Sequence, residues 1–201
     1  MPYIGTQPND VKQNTGLYTP SEILQLEKDG HWGGSLEFID EKTVSGSSTI
    51  NFTSIKENVY DVHLMQLSLI EGSADMDLEI RLSHDGGSNF RNSNYIRAVQ
   101  FCGTNGAFGP SQSTSATQFD VLGYTNTSTP INAYVYLYNL GSSSKFSFIT
   151  QHSTVSAIYA YFGGQGYMVT ETINALQLLN SASATFTGGT AKLYGVKEWA
   201  T

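Results

Sequence analysis

The sequence predicts an all-β protein: a jelly-roll-like antiparallel β-sandwich with an N-terminal extended arm and one short helix. Three observations predict it. Met76, Leu78, Ile80 and Leu82 alternate with Asp77, Glu79, Arg81 and Ser83, a period of two that fits a strand with one buried and one wet face. Similar runs recur between stretches rich in Gly, Ser, Thr and Asn, giving about eight to ten strands with polar turns, as a jelly roll requires. Charged residues make up only 13% of the 201 residues, against roughly 25% in an average soluble protein. Hydrophobic residues reach 39%, with 12 Tyr and 10 Phe, which suffices for a sizeable core.

At this length one domain and an arm are expected: residues 1–34 as the arm with its helix, for anchoring or subunit contact, and residues 35–201 as the sandwich. Residues 1–18 are polar and carry Pro2, Gly5, Pro8 and Gly16, so they bury little by themselves. Thr19-Pro20-Ser21-Glu22 has the form of a helix start. Thr19 caps, Pro20 takes the first helical position and Glu22 closes a capping box. Ile23, Leu24 and Leu26 give the helix an apolar face, Asp29-Gly30 ends it, and Trp32 seats the arm on the domain.

Leu36, Phe38 and Val44 mark a first strand, and Ile50 and Phe52 a second. Tyr60, Val62 and Leu64 share one parity, and the phase slips at Met65-Gln66, which predicts a bulge. This run and Met76–Ser83, joined by Glu71–Asp75, are expected to pair as the centre of one sheet. Asp85-Gly86-Gly87 turns the chain. Tyr95–Phe101 fits a strand or a short helix. Residues 103–117 read as a Gly/Ser/Thr/Gln loop, and Phe119–Tyr124 returns to the sheet. In 131–140, Ala133, Val135 and Leu137 oppose Tyr134, Tyr136 and Tyr138. Phe146 and Phe148 alternate in the next strand, and Tyr159 and Tyr161 oppose Ala160 and Phe162 in another. Gly163-Gly164-Gln165-Gly166 reads as a bulge or turn, Ile173, Leu176 and Leu178 as a strand, 181–189 as a polar turn, and Thr190–Val196 as the last strand.

Charge and composition narrow the function. The net charge is −7, with no run of Lys or Arg, so no nucleic-acid partner is expected. No run of about 18 apolar residues occurs, so no membrane span is expected. The opening MPYIGTQPND has neither a basic start nor an apolar run, so no secretory signal is expected. The sequons at Asn51 and Asn126 are then chance matches. Cys102 is the single cysteine and reads as a small buried hydrophobe.

No enzyme chemistry, cofactor or metal is expected. His31, His63, His84 and His152 fall at no metal-ligand spacing. Ser83-His84-Asp85 holds the residue types of a hydrolytic triad, but neighbours on a strand point to opposite faces, so turn chemistry explains them better. Asp77 and Glu79 read as a solvated strand face, without the oxygen-rich loop calcium needs. The aromatic set Tyr134, Tyr136, Tyr138, Tyr159 and Tyr161 is the main candidate site: a tyrosine-lined outer face on neighbouring strands that serves a subunit interface, lies beneath a second layer or the arm, or stacks on sugars.

Several stretches resemble small β domains of tailed-bacteriophage virion proteins, especially marine and cyanophage-like tail fibres. They are the arm MPYIGTQP, the helix segment LYTPSEILQLEKDGHW, the run TVSGSSTINFTSIKENVYDVHLMQLSLI followed by RLSHDGGSNF, and the closing AKLYGVK. The resemblance implies a virion structural protein that assembles as a homo-oligomer, often a trimer, with other virion proteins as partners. Anchoring would fall to Tyr3, Ile4 and Trp32. The chain has no extended shaft, so a short tail appendage or a capsid decoration protein fits better than a complete fibre. A module that binds host surface glycan for adsorption is the alternative.

Overall fold

The computed structural model describes residues 19–22, 24, 35–120, 123–125, 128–155, 159–181 and 184–197. The chain divides into two compact units, Met1–Ser35 with Trp199–Thr201, and Leu36–Glu198. In the first unit, Pro20, Ser21, Glu22 and Leu24 are helical. The expected capping box is formed reciprocally. The Glu22 carboxylate accepts from the Thr19 backbone N–H at 2.7 Å, and Thr19 Oγ1 accepts from the Glu22 N–H at 3.3 Å. Ile23, Leu26, Asp29, Gly30 and the anchoring candidates Tyr3, Ile4 and Trp32 lie outside the described residues.

The second unit contains twelve strands: β1 (Leu36–Thr43), β2 (Thr49–Phe52), β3 (Val62–Gly72), β4 (Met76–Ser83), β5 (Tyr95–Gly103), β6 (Phe108–Ala116), β7 (Tyr124–Thr125), β8 (Ile131–Tyr138), β9 (Ser147–Val155), β10 (Tyr159–Tyr167), β11 (Ala175–Asn180) and β12 (Phe186–Val196). One sheet has eight strands in the order β1-β12-β3-β8-β9-β10-β5-β6, and the other four in the order β2-β11-β4-β7. Every pairing is antiparallel.

The pairing is that of a jelly roll. Strands from the first half of the chain pair with strands from the second half, β1 with β12, β2 with β11, β3 with β8 and β4 with β7. The chain changes sheet at each step along this ribbon, which rolls into two layers. Two hairpins are inserted, β5–β6 after β4 and β9–β10 after β8, and both widen the larger sheet beyond β8. Between the layers Phe52, Leu78, Ile80, Leu82, Leu176 and Leu178 meet Met65, Leu67, Val135, Leu137, Ala191 and Leu193, all buried.

Several sequence expectations are corrected. Among the described residues the strands number twelve rather than eight to ten. β3 and β4 do not pair, because Gly72–Met76 carries the chain from one sheet to the other. The buried parity of β3 is His63, Met65 and Leu67, while Val62 and Leu64 face outward opposite Tyr138 and Tyr136. The buried His63 is accommodated because its Nε2–H donates to the Ile55 carbonyl at 2.8 Å, and burial pushes its pKa down. The bulge therefore lies at Ser68–Leu69, where Leu69 takes φ 53° and three β3 steps oppose two on β8. Asn132 Oδ1 accepts from the Leu69 N–H released there.

Tyr95–Gly103 is a strand, and the expected 103–117 loop is mostly the edge strand β6. Pro110 is tolerated there because an edge leaves one side of the backbone without a ladder partner. Gly163–Gly166 lies inside β10, paired on both sides, rather than in a turn. The last strand starts at Phe186, inside the expected turn region. Cys102 is exposed, since its inward neighbours on β5 are Val99 and Phe101.

The expected Asp-Gly-Gly turn is present and locked. Ser83 Oγ donates to Asp85 Oδ1 at 2.7 Å, and Asp85 accepts from the Asn89 backbone and side-chain N–H groups at 2.9 and 2.8 Å. These bonds hold the Asp85 carboxyl well below its ordinary range. Ser83 and Asp85 thus serve the turn, and the Ser83 hydroxyl donates to Asp85 rather than to a histidine. Arg91 clamps Glu171 bidentately at 2.8 and 2.6 Å just beyond it.

Gly189 (φ +113°) sits against the β3 bulge, where an added Cβ would lie 2.6 Å from the Leu69 carbonyl oxygen. Gly189→Ala is expected to cost at least ~2 kcal/mol, from strain and backbone overlap together. Urea unfolding measures this, and an unchanged midpoint would refute the placement of the bulge.

Candidate functional site

The candidate site lies on the outer face of the eight-stranded sheet. β8 alternates strictly: Ile131, Ala133, Val135 and Leu137 are buried, and Tyr134, Tyr136 and Tyr138 point outward. Tyr134 is 47% exposed. Its hydroxyl is 3.0 Å from His152 Nδ1, and its ring meets His152 edge-on at 5.4 Å and Tyr136 at 6.2 Å. The Tyr138 hydroxyl bonds Thr150 Oγ1 at 3.1 Å. These contacts fix the rings across β8 and β9, so the face is a pre-ordered platform.

Tyr159 and Tyr161 do not join it. Register places Phe162 beside His152 and Gly164 beside Thr150, so Ala160, Phe162, Gly164 and Gly166 are the outward residues of β10. Tyr161 faces the other way, packs against the core and tilts against Phe101 at 6.1 Å. Burial raises its pKa, with the Asp77 carboxylate adding to the effect. The single tyrosine face is therefore split. β9 lies between the two strands, and alternation gave the parity of each but not the common reference that fixes which parity is outward.

Phe148 and Phe162 complete the outward set, each 40% exposed, with Phe108 at 69% on the edge strand. Sequence reasoning placed Phe148 and Phe162 on strands but not in the site. The alternation around each was legible, and the missing information was register. Shallow grooves cross this face, two of which bear on its use. One, of about 710 Å³, has Gly164 and Gly166 as its floor, Tyr138 and Phe148 on one side, and Ile96 and Thr114 on the other. The second, of about 810 Å³, is lined by rings and hydrogen-bonding groups, among them Gln66, Asn132, Tyr134, Tyr136 and His152.

Charge is distributed unevenly over the sheet. No Asp, Glu, Lys or Arg points outward from β8, β9, β10, β5 or β6. Four ion pairs instead gather around β1 and β12: Lys42–Asp40, Lys56–Glu37, Lys192–Glu41 and Lys197–Glu37.

Beneath the widened part of the sheet lies a polar layer. Gln165 Nε2 donates to the Asp120 carbonyl at 2.8 Å and to Gln151 Oε1 at 2.7 Å, and its Oε1 accepts from the Asp120 N–H at 3.1 Å. Arg97 pairs with the Asp120 carboxylate. Gln118 donates to Glu79 Oε1 at 2.8 Å and accepts from Arg81 at 3.0 Å. The segment Gln118–Asp120 is thus a strap tied to both sheets. Glu79, read from sequence as solvated, is only 5% exposed because this strap covers it. Among the described residues no group of three or more His, Cys, Asp or Glu is arranged to hold a metal, and no helix is long and apolar enough to cross a membrane.

Comparison with protein-family models, with curated proteins and with solved structures finds no match to the chain.

Burial raises the Glu79 pKa above its ordinary value near 4.5. Between the ordinary and the raised value the folded state holds a proton that the unfolded chain has released. The stabilisation is full below that value and is lost as pH rises through the elevated folded one. Glu79→Gln keeps an acceptor for Gln118 and does not titrate. Its thermal midpoint is expected to gain on wild type as pH rises from about 4.5 towards neutrality. A gap that does not change with pH in stepped melts would refute this assignment.

Proposed function

We propose that the chain is a structural subunit of a tailed-phage virion, a short tail appendage that assembles as a homo-oligomer and is held to the particle by its N-terminal arm. The observation that carries this reading is the outer face of the widened sheet, aromatic and free of formal charge over five strands. A face of that kind is costly to leave in water and is a mark of protein association. The sequence resemblance to phage β domains points the same way, and the capsid decoration role is the close variant.

Gold-tagged antibody on intact particles tests the reading. Label at the tail supports the appendage, label over the head supports decoration, and unlabelled particles overturn the virion assignment. The arm is tested in the full chain: Tyr3→Asp with Ile4→Asp is expected to abolish incorporation while leaving the far-ultraviolet circular dichroism unchanged. Normal incorporation of that variant would remove the anchoring role.

One observation favours a second reading, a host-glycan module. The groove beside Tyr134 and Tyr136 combines aromatic rings with the amides of Gln66 and Asn132 and the His152 imidazole. Rings stack on sugar faces while amides pair with hydroxyls. On that reading Tyr136→Ala lowers glycan-array binding at least about tenfold, a loss of about 1.4 kcal/mol. An array without signal for the wild type would exclude it.

A further inference from the structure

We propose that the outward surface of β8, β9, β10, β5 and β6 is where a second copy of this chain docks, with the glycine-floored groove at its centre as the point of closest approach. The inference rests on the assembly reading above and specifies the surface that performs it.

Three observations support it. The first is area. Five strands spaced about 4.8 Å apart, each eight or nine residues long at about 3.3 Å per residue, present a face of about 24 by 28 Å. Two such faces bury about 1,300 Å² together, inside the ~1,200–2,000 Å² of a specific protein interface.

The second is charge. The chain carries −7 overall, so two copies repel unless they meet where charge is absent. This half of the sheet is such a place. The half bearing β1 and β12 carries the ion pairs and suits solvent. A neutral face also fits a copy of itself without any desolvated unpaired charge.

The third is relief. Phe108, Phe148 and Phe162 stand out from the face, while Gly164 and Gly166 leave a floor of bare backbone between Phe148 and Ile96. Projecting rings and a recessed trough on one surface are the two halves of a packed contact. Aromatic anchors seated in pockets carry most of the energy of such contacts.

The fold supplies two clean probes. Gly164 has room for a side chain: an added Cβ meets only the Ile149 carbonyl oxygen, at 3.6 Å, and its φ lies outside the left-handed region. Gly164→Phe therefore fills the groove without straining β10. Cys102, the only cysteine, is exposed on β5, paired with Ala160 and Phe108 on this same face. Its thiol reports whether the face is covered in the unmodified chain.

The experiment is sedimentation velocity of the full chain over a concentration series, with thiol labelling of Cys102 by a maleimide at each concentration. Wild type is expected to sediment as an oligomer and to label more slowly as it assembles. Gly164→Phe and Phe148→Asp are expected to weaken association at least about tenfold and to restore fast labelling, with circular dichroism unchanged. Folded variants that keep the wild-type mass would overturn this surface and leave the assembly reading standing. Slow labelling of a monomer would also overturn it, by showing that the chain covers its own face. A wild type that is monomeric and fast-labelling throughout would sink both.

Discussion

The structure depends on the pairing of the first half of the chain with the second. β1 needs β12, β2 needs β11, and β3 needs both β12 and β8. Contacts this far apart in sequence repay the entropy of loop closure only late in folding. The compensation is the apolar layer shared by the two sheets, to which nearly every strand contributes. Irregularities must then be matched across the ribbon. The extra residue of β3 at Leu69 faces the irregular stretch of β12 around Gly188 and Gly189, so both strands shift phase at one level and Ile70 and Phe186 return to the core.

The two inserted hairpins give the protein its distinctive surface. They extend one sheet to eight strands, while the other has four and offers no counterpart. The inner face of the extension is closed by other means. Phe119 packs edge-on against Tyr95 with ring centres 4.9 Å apart, Tyr167 lies as close to Tyr95 on another side, and the strap residues engage Gln165 and Arg97. The amides of Gln118, Gln151 and Gln165 in this layer are each hydrogen-bonded, as a low-dielectric interior favours. The outer face of the extension receives no such cover among the described residues.

That asymmetry links fold to function. A jelly roll is an architecture that hosts many activities, so the fold class assigns none of them. The information lies in what the extension displays: aromatic rings held by Tyr134–His152 and Tyr138–Thr150 bonds, a backbone-floored groove, and no formal charge. Ion pairs at the opposite side of the same sheet mark the wet end. Of Ser83, His84 and Asp85, which carry the residue types of a catalytic set, Ser83 and Asp85 are instead engaged in holding the turn between β4 and β5.

The sequence by itself determined local conformation. Alternation of Met76 to Leu82 specified β4, Thr19 to Glu22 specified the capping box, and Asp85-Gly86-Gly87 specified the turn, since each is governed by contacts within a few residues. From many such strands the sandwich class followed. Tertiary structure decided which parity faces in and which strands are neighbours. Tyr60, Val62 and Leu64 share a parity, yet Tyr60 is buried while Val62 and Leu64 face outward, and the tyrosines of β8 and β10 lie on opposite faces. Period two fixes only that adjacent residues oppose each other. The sign is set by register with strands distant in the chain, and a one-residue slip reverses every side chain. For the same reason the polar composition of 108–116 concealed an edge strand, and Cys102 emerged on the surface.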